Sequence, residues 1–170
     1  MSWKPLLEMG IFRVETRVAD GPSGPHPVVR LDTADWVNIV AVTPDGDCVL
    51  VRQHRFGIEE VTVEIPGGII DPGEEPLAAG MRELREETGF GGGTWHPLGY
   101  VHPNPAIQTN KTWMFLAEGV MPVGAQEPDP HEDIQVELAS VEEVGFLLRA
   151  GVISHALAVV ALQRWLSGLA

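Results

Sequence analysis

Cysteine is almost absent from this sequence. Cys48 is the only cysteine among 170 residues, so no disulfide can form within the chain. It opens an apolar run, CVLV, and this setting favours a place in the core over a role as a nucleophile. Proteins without disulfides are typical of reducing compartments, and we expect this protein in the cytoplasm.

Positive charge is also scarce. The chain has 11 Lys and Arg, with Lys4 and Lys111 as the only lysines, against 24 Asp and Glu, which gives a net charge of −13. This balance disfavours nonspecific binding to nucleic acid and to anionic lipid. The sequence also lacks an apolar run long enough to span a bilayer. We therefore expect no nucleic-acid partner and no membrane partner.

The rest of the composition is that of an ordinary globular protein. Apolar residues make up 44% of the chain and charged residues 21%, and 170 residues are enough for one domain with a sizeable core. The sequence has no internal repeat and no linker. We expect a single domain over residues 1–170, with an N-terminal strand region at about residues 1–34.

Alternating and apolar runs predict a series of strands. The segment 36–43 is nearly all apolar and is typical of a strand buried on both faces. Ser140 and Glu143 form a capping-box pattern that opens a helix through about Arg149, and Ser154 is placed to cap the last helix. The further predicted strands are 11–18, 28–31, 48–55, 61–65, 95–102, 111–120 and 134–139. Strands first, a helix in the middle and helices last fit a mixed α/β sandwich.

The segment 68–90, GIIDPGEEPLAAGMRELREETGF, follows a glycine-rich turn and predicts a helix with two faces. The stripe that we expect on the sheet consists of Leu77, Gly80, Met81, Leu84 and Thr88. Glu83, Glu86 and Glu87 crowd one edge, where like charges cost about 0.2–0.5 kcal/mol per pair. Such an edge is either a solvated acidic face or a site where a cation offsets the repulsion. Its oxygens suit Mg²⁺ or Mn²⁺, since the segment holds no Cys or His.

The complete pattern favours the cation site. The segment resembles the Nudix box, which reads glycine, five residues, Glu, seven residues, Arg-Glu-apolar, one residue, Glu-Glu, one residue and Gly-apolar. The defined positions are filled by Gly68, Glu74, Arg82, Glu83, Leu84, Glu86, Glu87, Gly89 and Phe90. The resemblance implies a Nudix-type α/β/α sandwich with a mixed central β-sheet. It also implies metal-dependent hydrolysis of a nucleoside diphosphate linked to another group.

The same resemblance implies roles for individual residues of the box. Glu83 and Glu87 would be the principal metal ligands and Glu86 would assist, so all three are also catalytic candidates. The Gly67 carbonyl would coordinate the metal as well. Arg82 would form an orienting pair with Glu74 rather than touch the substrate.

A further catalytic base is expected from the acidic loop 125–133. Glu132 is our choice in this loop, over Asp133 and Glu127. The six histidines show no metal-binding spacing, and we expect them to be structural or on the surface.

Two arginines near the end of the strand 48–55 are candidates for binding substrate. Arg52 and Arg55 could hold phosphate or carboxylate through their bidentate fork. Alternatively, they pair as strand residues with Glu59, Glu60 or Glu64. Both alternatives are open at this point, and Arg52, Arg55 and Glu64 are all counted as candidates for the substrate site.

The wider string VRQHRFG, VEIPGGIIDPGE, AAGMREL and EETG is similar to the ADP-ribose pyrophosphatase branch of the Nudix hydrolases. In that branch a proline recurs a short way past the box, which makes Pro105 a substrate-site candidate. The neighbouring residues, including Gln108, differ from the small Ser and Gly residues that are usual in that loop, so the preferred base and sugar stay open. Trp36 either stacks on the nucleobase, a contact worth about 1–3 kcal/mol, or belongs to the core.

The resemblance also implies partners. We expect a nucleotide-sugar substrate such as ADP-ribose, and a homodimer in which N-terminal strands cross to the partner, with residues 20–27 as a hinge. Two other functions stay open, namely a nucleotide-sensing binding module without turnover and a hydrolase of dinucleoside polyphosphates or RNA 5′ ends. The intact box glutamates disfavour the first, and the net charge of −13 disfavours RNA.

Overall fold

The computed structural model describes residues 2–128, 131 and 133–168. The strands of this part of the chain are β1 (Lys4–Met9), β2 (Phe12–Ala19), β3 (His26–Thr33), β4 (Trp36–Val42), β5 (Cys48–Arg55), β6 (Glu60–Glu64), β7 (Gly67–Ile69), β8 (Phe90–Gly91), β9 (Thr94–Val101), β10 (Thr112–Glu118), β11 (Met121–Pro122) and β12 (Gln135–Ala139). The helices are α1 (Pro76–Thr88), α2 (Val141–Arg149) and α3 (Ala156–Leu166). None of these helices is long and apolar enough to cross a membrane.

The strands β1, β2 and β3 form an antiparallel sheet near the N-terminus. The Leu31 N–H donates to the Ile107 carbonyl at 2.6 Å, and the Thr109 N–H donates to the Leu31 carbonyl at 3.1 Å. These bonds tie the N-terminal sheet to the loop between β9 and β10. The sequence analysis missed β1, because Pro5 interrupts the alternation and the pairing register shifts between Pro5 and Leu7.

The second sheet has seven strands in the order β12-β5-β4-β10-β9, with β6 beside β5 and β7 beside β4. The strands β4 and β10 run parallel, from Trp36 opposite Thr112 to Val42 opposite Glu118. The other pairs in this sheet are antiparallel. The sheet is therefore mixed, and β4 is buried on both of its faces as predicted.

Alternate residues of β4 supply two hydrophobic cores on opposite faces of this sheet. On one face Ile39 belongs to a core with Leu84 of α1. On the other face Val40 belongs to a core with Val144 of α2 and Leu162 of α3. Helices thus cover both faces, which confirms the predicted α/β/α sandwich with a mixed central sheet.

Cys48 lies in the core that α2 and α3 cover, and its side chain is buried. The prediction of a core cysteine is therefore confirmed. Burial raises the pKa of the thiol to about 12. At neutral pH the folded protein therefore holds a negligible population of the thiolate, which is the reactive form of cysteine.

The helix ends agree in part with the sequence analysis. Ser140 caps α2 as predicted, because its hydroxyl accepts the Glu143 N–H at 3.2 Å. Gly89 ends α1 in the left-handed conformation, with φ of 72°. The prediction that Ser154 caps the last helix was wrong. His155 occupies the N-cap position of α3, and its side chain contacts the Glu64 carboxylate.

The buried stripe of α1 is rotated from the predicted one. Leu77 and Met81 are exposed, contrary to the prediction, and Ala79 and Glu87 are buried in addition to the rest of the stripe. Glu87 is drawn inward because its carboxylate accepts the Gly67 N–H at 2.9 Å. The helix therefore turns one of its predicted metal ligands toward the sheet.

Candidate active site

A cleft of about 590 Å³ opens beside the box. Its walls come from the N-terminal sheet, the tip of the β5–β6 hairpin, the loop that begins the box and the start of α3. The lining includes Ile11, Phe12, Leu31, Thr33, Trp36, Asn38, Arg55, Phe56, Ile58, Thr62, Glu64, Gly67, Gly68, Ile69, Gln108 and His155. A mostly apolar cleft with a few polar groups is typical of a small-molecule site.

Two glycines let the box helix approach the sheet. Gly67 pairs with Asn38 of β4, and its N–H donates to Glu87 Oε2 at 2.9 Å. Gly68 lies directly against the Glu83 carboxylate, in a space that a Cβ atom would fill. Gly67 and Gly68 therefore lie together with Glu87 and Glu83.

Arg82 is the centre of the charge network on α1. Its guanidinium donates to both oxygens of Glu74, at 3.1 and 3.0 Å, so the predicted pair is present, and its orienting role stays a prediction. It also donates to Glu83 at 2.8 Å, to Glu86 at 3.1 Å and to the Ile69 carbonyl at 3.0 Å. The hydrogen bond with Glu74 raises the pKa of Arg82, and the same bond lowers the pKa of Glu74. The box thus carries its own cation, which holds three carboxylates and one carbonyl.

The donor set of the box fits a hard divalent cation. Glu83 and Glu87 both reach the glycines of the box loop, and Glu86 shares Arg82 with Glu83. Among residues 2–128, 131 and 133–168, no group of three or more His, Cys, Asp or Glu side chains forms a ready-made metal cage. Mg²⁺ does not need one, since proteins bind it through one or two carboxylates together with water and substrate phosphates.

The acidic loop after β11 is anchored to the end of α1. The Gln126 side-chain amide donates to the Glu87 carbonyl at 2.6 Å, and the Glu127 N–H donates to the Glu86 carbonyl at 2.8 Å. The loop therefore begins beside the box. Glu132, the predicted base, lies outside the described residues, and its role stays a prediction.

Arg55 and Glu64 form an ion pair at the cleft, in which the carboxylate is buried. The Glu64 side chain is 1% exposed and accepts Arg55 Nε and Nη2, each at 2.7 Å, in a bidentate pair. Thr62 Oγ1 donates to the same carboxylate at 2.5 Å, and His155 Nδ1 lies 2.7 Å from Oε2. Burial raises the pKa of Glu64, but the bonds from Arg55, His155 and Thr62 outweigh it and leave the pKa well below the usual range.

The remaining predicted substrate residues lie at different distances from the cleft. Trp36 is half-buried in the cleft wall, where it opens β4. Arg52 lies near Glu137 of β12, with Nε 2.6 Å from Oε1, a partner that the sequence analysis did not consider. Pro105 is exposed in a turn of the loop whose Gln108 reaches the cleft. The substrate roles of these residues stay predictions.

Phe56, Ile58 and His155 are among the cleft residues that were not predicted from the sequence. Phe56 and Ile58 are exposed apolar residues at the tip of the β5–β6 hairpin. The apolar residues that follow VRQHR in the sequence were the signal that could have indicated them. His155 was expected to be structural or on the surface. Its contact with Glu64 joins distant parts of the chain, so no local sequence pattern could have indicated it.

The comparisons with known proteins agree with this geometry. The chain is 28% identical over 154 residues to the ADP-ribose pyrophosphatase of Bacillus subtilis (strain 168), covering 90% of this chain and 82% of that protein. It is 28% identical over 160 residues to the ADP compounds hydrolase NudE of Escherichia coli (strain K12), covering 91% and 84%. A crystal structure of an ADP compounds hydrolase superposes with a TM-score of 0.86 at 25% identity, over 99% of this chain and 94% of that one.

The family model of the NUDIX domain matches residues 33–160, which is most of the chain and includes the whole box. That match takes in the mixed sheet from β4 onward, the glycines against which Glu83 and Glu87 lie, and the start of α3. The chain therefore belongs to the NUDIX domain family.

Proposed function

We propose that the protein hydrolyses the diphosphate bridge of a nucleoside diphosphate sugar such as ADP-ribose, giving a nucleoside monophosphate and a sugar phosphate. The observation that carries this proposal is the place of the box glycines. Gly67 and Gly68 contact Glu87 and Glu83 on one side and line the cleft on the other. The names of the relatives, which refer to ADP-ribose and to ADP compounds, support this class of substrate.

In this mechanism Glu83, Glu86 and Glu87 would hold Mg²⁺, or Mn²⁺ in its place, and the Gly67 carbonyl would be a further ligand. Such a cation would supply Lewis-acid polarisation of the diphosphate and of the attacking water. Arg82 keeps the carboxylates in position and offsets their mutual repulsion. Glu132 accepts the proton of the attacking water.

The cleft would hold the rest of the substrate. Trp36 offers an aromatic face to the nucleobase, and Arg55 offers a cation to the diphosphate beside the box. Glu64 supports Arg55, and Arg52 and Pro105 are further candidates for contact with the substrate. A reducing compartment suits a chain whose one cysteine is buried, and we place the enzyme in the cytoplasm.

The test is a product analysis with a panel of substrates in Mg²⁺. We expect AMP and ribose 5-phosphate from ADP-ribose, and analogous products from other nucleotide sugars. Nucleoside triphosphates should be poor substrates, because they carry no sugar beyond the second phosphate. The Glu87→Gln variant, purified in parallel, controls for a contaminating hydrolase. Rapid pyrophosphate release from nucleoside triphosphates with inert nucleotide sugars would overturn the substrate class, and binding of ADP-ribose without turnover would favour a sensing module.

The N-terminal sheet supports a homodimer as the working form. Leu6, Leu7, Met9 and Ile11 are all exposed, and exposed apolar clusters of this kind are typical of interaction surfaces. Light scattering at micromolar protein should give twice the mass of the chain. Leu6→Glu should lower that mass toward a monomer, whereas Phe146→Glu, at an exposed apolar position on α2, should not. A monomeric wild type would contradict the dimer.

A further inference from the structure

Glu64 is held on two sides by groups from different elements. Arg55 of β5 makes a bidentate bond to it, with both N···O distances at 2.7 Å. His155, at the start of α3, places Nδ1 at 2.7 Å from Oε2, the oxygen that also accepts Arg55 Nη2. Since Thr62 takes the remaining side at Oε1, the carboxylate is surrounded by protein donors. Its direct use as a substrate ligand would require one of these contacts to break.

We propose that His155 is a positioning residue, which fixes the Glu64 carboxylate and through it the Arg55 guanidinium at the wall of the substrate cleft. This inference rests on the proposed function, because it assigns Arg55 to the diphosphate. It adds a residue from α3, outside the box.

The geometry explains how an imidazole can act through a carboxylate. A bidentate arginine lies in the plane of its carboxylate, so a rotation of the Glu64 carboxylate turns the Arg55 guanidinium with it. Glu64 is buried and ionised, and the Nδ1 atom that faces it must therefore carry a proton, because a lone pair there would be repelled. The Nδ1 atom, 2.7 Å from Oε2, thus adds a contact from α3 to those that β5 and β6 make with the carboxylate.

The charge balance explains why the orientation of one arginine matters. The chain has a net charge of −13, and three of its glutamates lie in the box, where the proposed function places the diphosphate. Both side chains line the cleft, but Arg55 is 42% exposed and Glu64 only 1%, so the guanidinium is the more accessible charge of this pair. A fixed guanidinium favours a phosphate more than a mobile one, since less side-chain entropy is lost on binding.

The test is a double-mutant cycle between His155 and Arg55, with ADP-ribose as substrate. His155→Ala should raise KM about tenfold, the loss expected for one charge-assisted contact, with kcat within about twofold of wild type. Arg55→Lys keeps a cation beside Glu64 but cannot form the fork, and it should raise KM as well. If His155 acts through Arg55, the double variant should match the weaker-binding single variant. Multiplied effects, or a fall in kcat at constant KM, would overturn the inference.

Two further variants separate positioning from general damage. His155→Asn restores an N–H close to the Nδ1 position and should recover most of the wild-type KM, while His155→Phe, which fills the space without a donor, should behave like His155→Ala. His96→Ala is the matched control. His96 lies on β9 and also faces a glutamate, with its Nε2 3.2 Å from Oε2 of Glu118. This variant should leave KM unchanged. A loss in His155→Asn equal to that in His155→Ala would contradict the role of the Nδ1 proton.

The outcome is distinguishable from a failure of the proposed function. If the wild type does not hydrolyse ADP-ribose, the substrate class is wrong, and calorimetry with ADP then tests the inference alone. ADP carries the diphosphate that Arg55 is assigned to hold, so His155→Ala should weaken its binding about tenfold. An ADP affinity equal to that of the wild type would overturn the positioning role whatever the enzyme hydrolyses.

Discussion

A single methyl group added to either glycine of the box loop would test the fold and the site separately. A Cβ at position 67 would overlap the Val37 carbonyl and lie 3.0 Å from the Asn38 Cα, which are backbone atoms of the central strand. A Cβ at position 68 would overlap the Glu83 carboxylate, which is the end of a flexible side chain. We expect Gly67→Ala to damage the fold and Gly68→Ala to damage the site.

The magnitudes follow from what has to move. Gly67→Ala must displace β4, and overpacking of this kind costs about 1–3 kcal/mol. Each kcal/mol lowers the Tm of a chain of this size by about 2–4 °C, so the fall should be about 2–12 °C. Gly68→Ala only displaces a side chain, and its Tm should stay within about 2 °C of wild type. Its kcat should fall about 100-fold or more, because a displaced metal ligand no longer stabilises charge in the transition state.

Thermal unfolding followed by circular dichroism, and steady-state hydrolysis of ADP-ribose in Mg²⁺, give the two readouts. Gly124→Ala is the control, since a Cβ there meets open space, and both its Tm and its kcat should equal those of wild type. A Gly68→Ala variant with full activity and a large fall in Tm would refute the placement of Glu83 against this glycine.

Three further predictions concern the carboxylates. Glu87→Gln and Glu83→Gln should each lower kcat by about 100-fold or more with folding intact. Excess EDTA should abolish turnover by the wild type. Full activity in either variant, or in EDTA, would contradict the assignment of these glutamates as metal ligands. Glu132→Gln should lower kcat more than it raises KM, and normal turnover there together with a loss in Asp133→Asn would move the base to the neighbour. The lowered pKa of Glu64 means that its ionisation stabilises the fold above the ordinary carboxylate pKa of 4.5, and that this contribution is lost as the pH falls. The Tm difference between wild type and Glu64→Gln should therefore be smaller at pH 3 than at pH 7. A constant difference would show that the ionised Glu64 carboxylate does not stabilise the fold.

The parts of the molecule that depend on local patterns could be predicted from the sequence. The apolar run of β4 indicated burial on both faces, and Ser140 with Glu143 indicated the start of α2. The spacing of the box placed Glu83, Glu86 and Glu87 on one helix. In each case the deciding interactions lie within a few residues or follow from a repeating period, which sequence reasoning can read.

The parts that failed depend on contacts between distant segments. The stripe of α1 was misplaced at Leu77 and Met81, because the pull of the Gly67 N–H on Glu87 is a tertiary contact. The partner of Arg52 is Glu137, on a strand that pairs with β5 only in the folded sheet. His155 reached Glu64 through the packing of α3 on the sheet, and no spacing in the sequence encodes that contact.

The buried cysteine has a practical consequence. Cys48 is the only thiol of the chain, and it lies between the central sheet and the helices α2 and α3. With a thiol pKa of about 12 and no access from solvent, it can react with an alkylating reagent only in molecules whose core has opened. Where opening and closing are faster than alkylation, the labelling rate is proportional to the population of open molecules. The protein therefore carries an intrinsic reporter of the opening of one half of its sandwich, which can be read as a mass shift without any added tag.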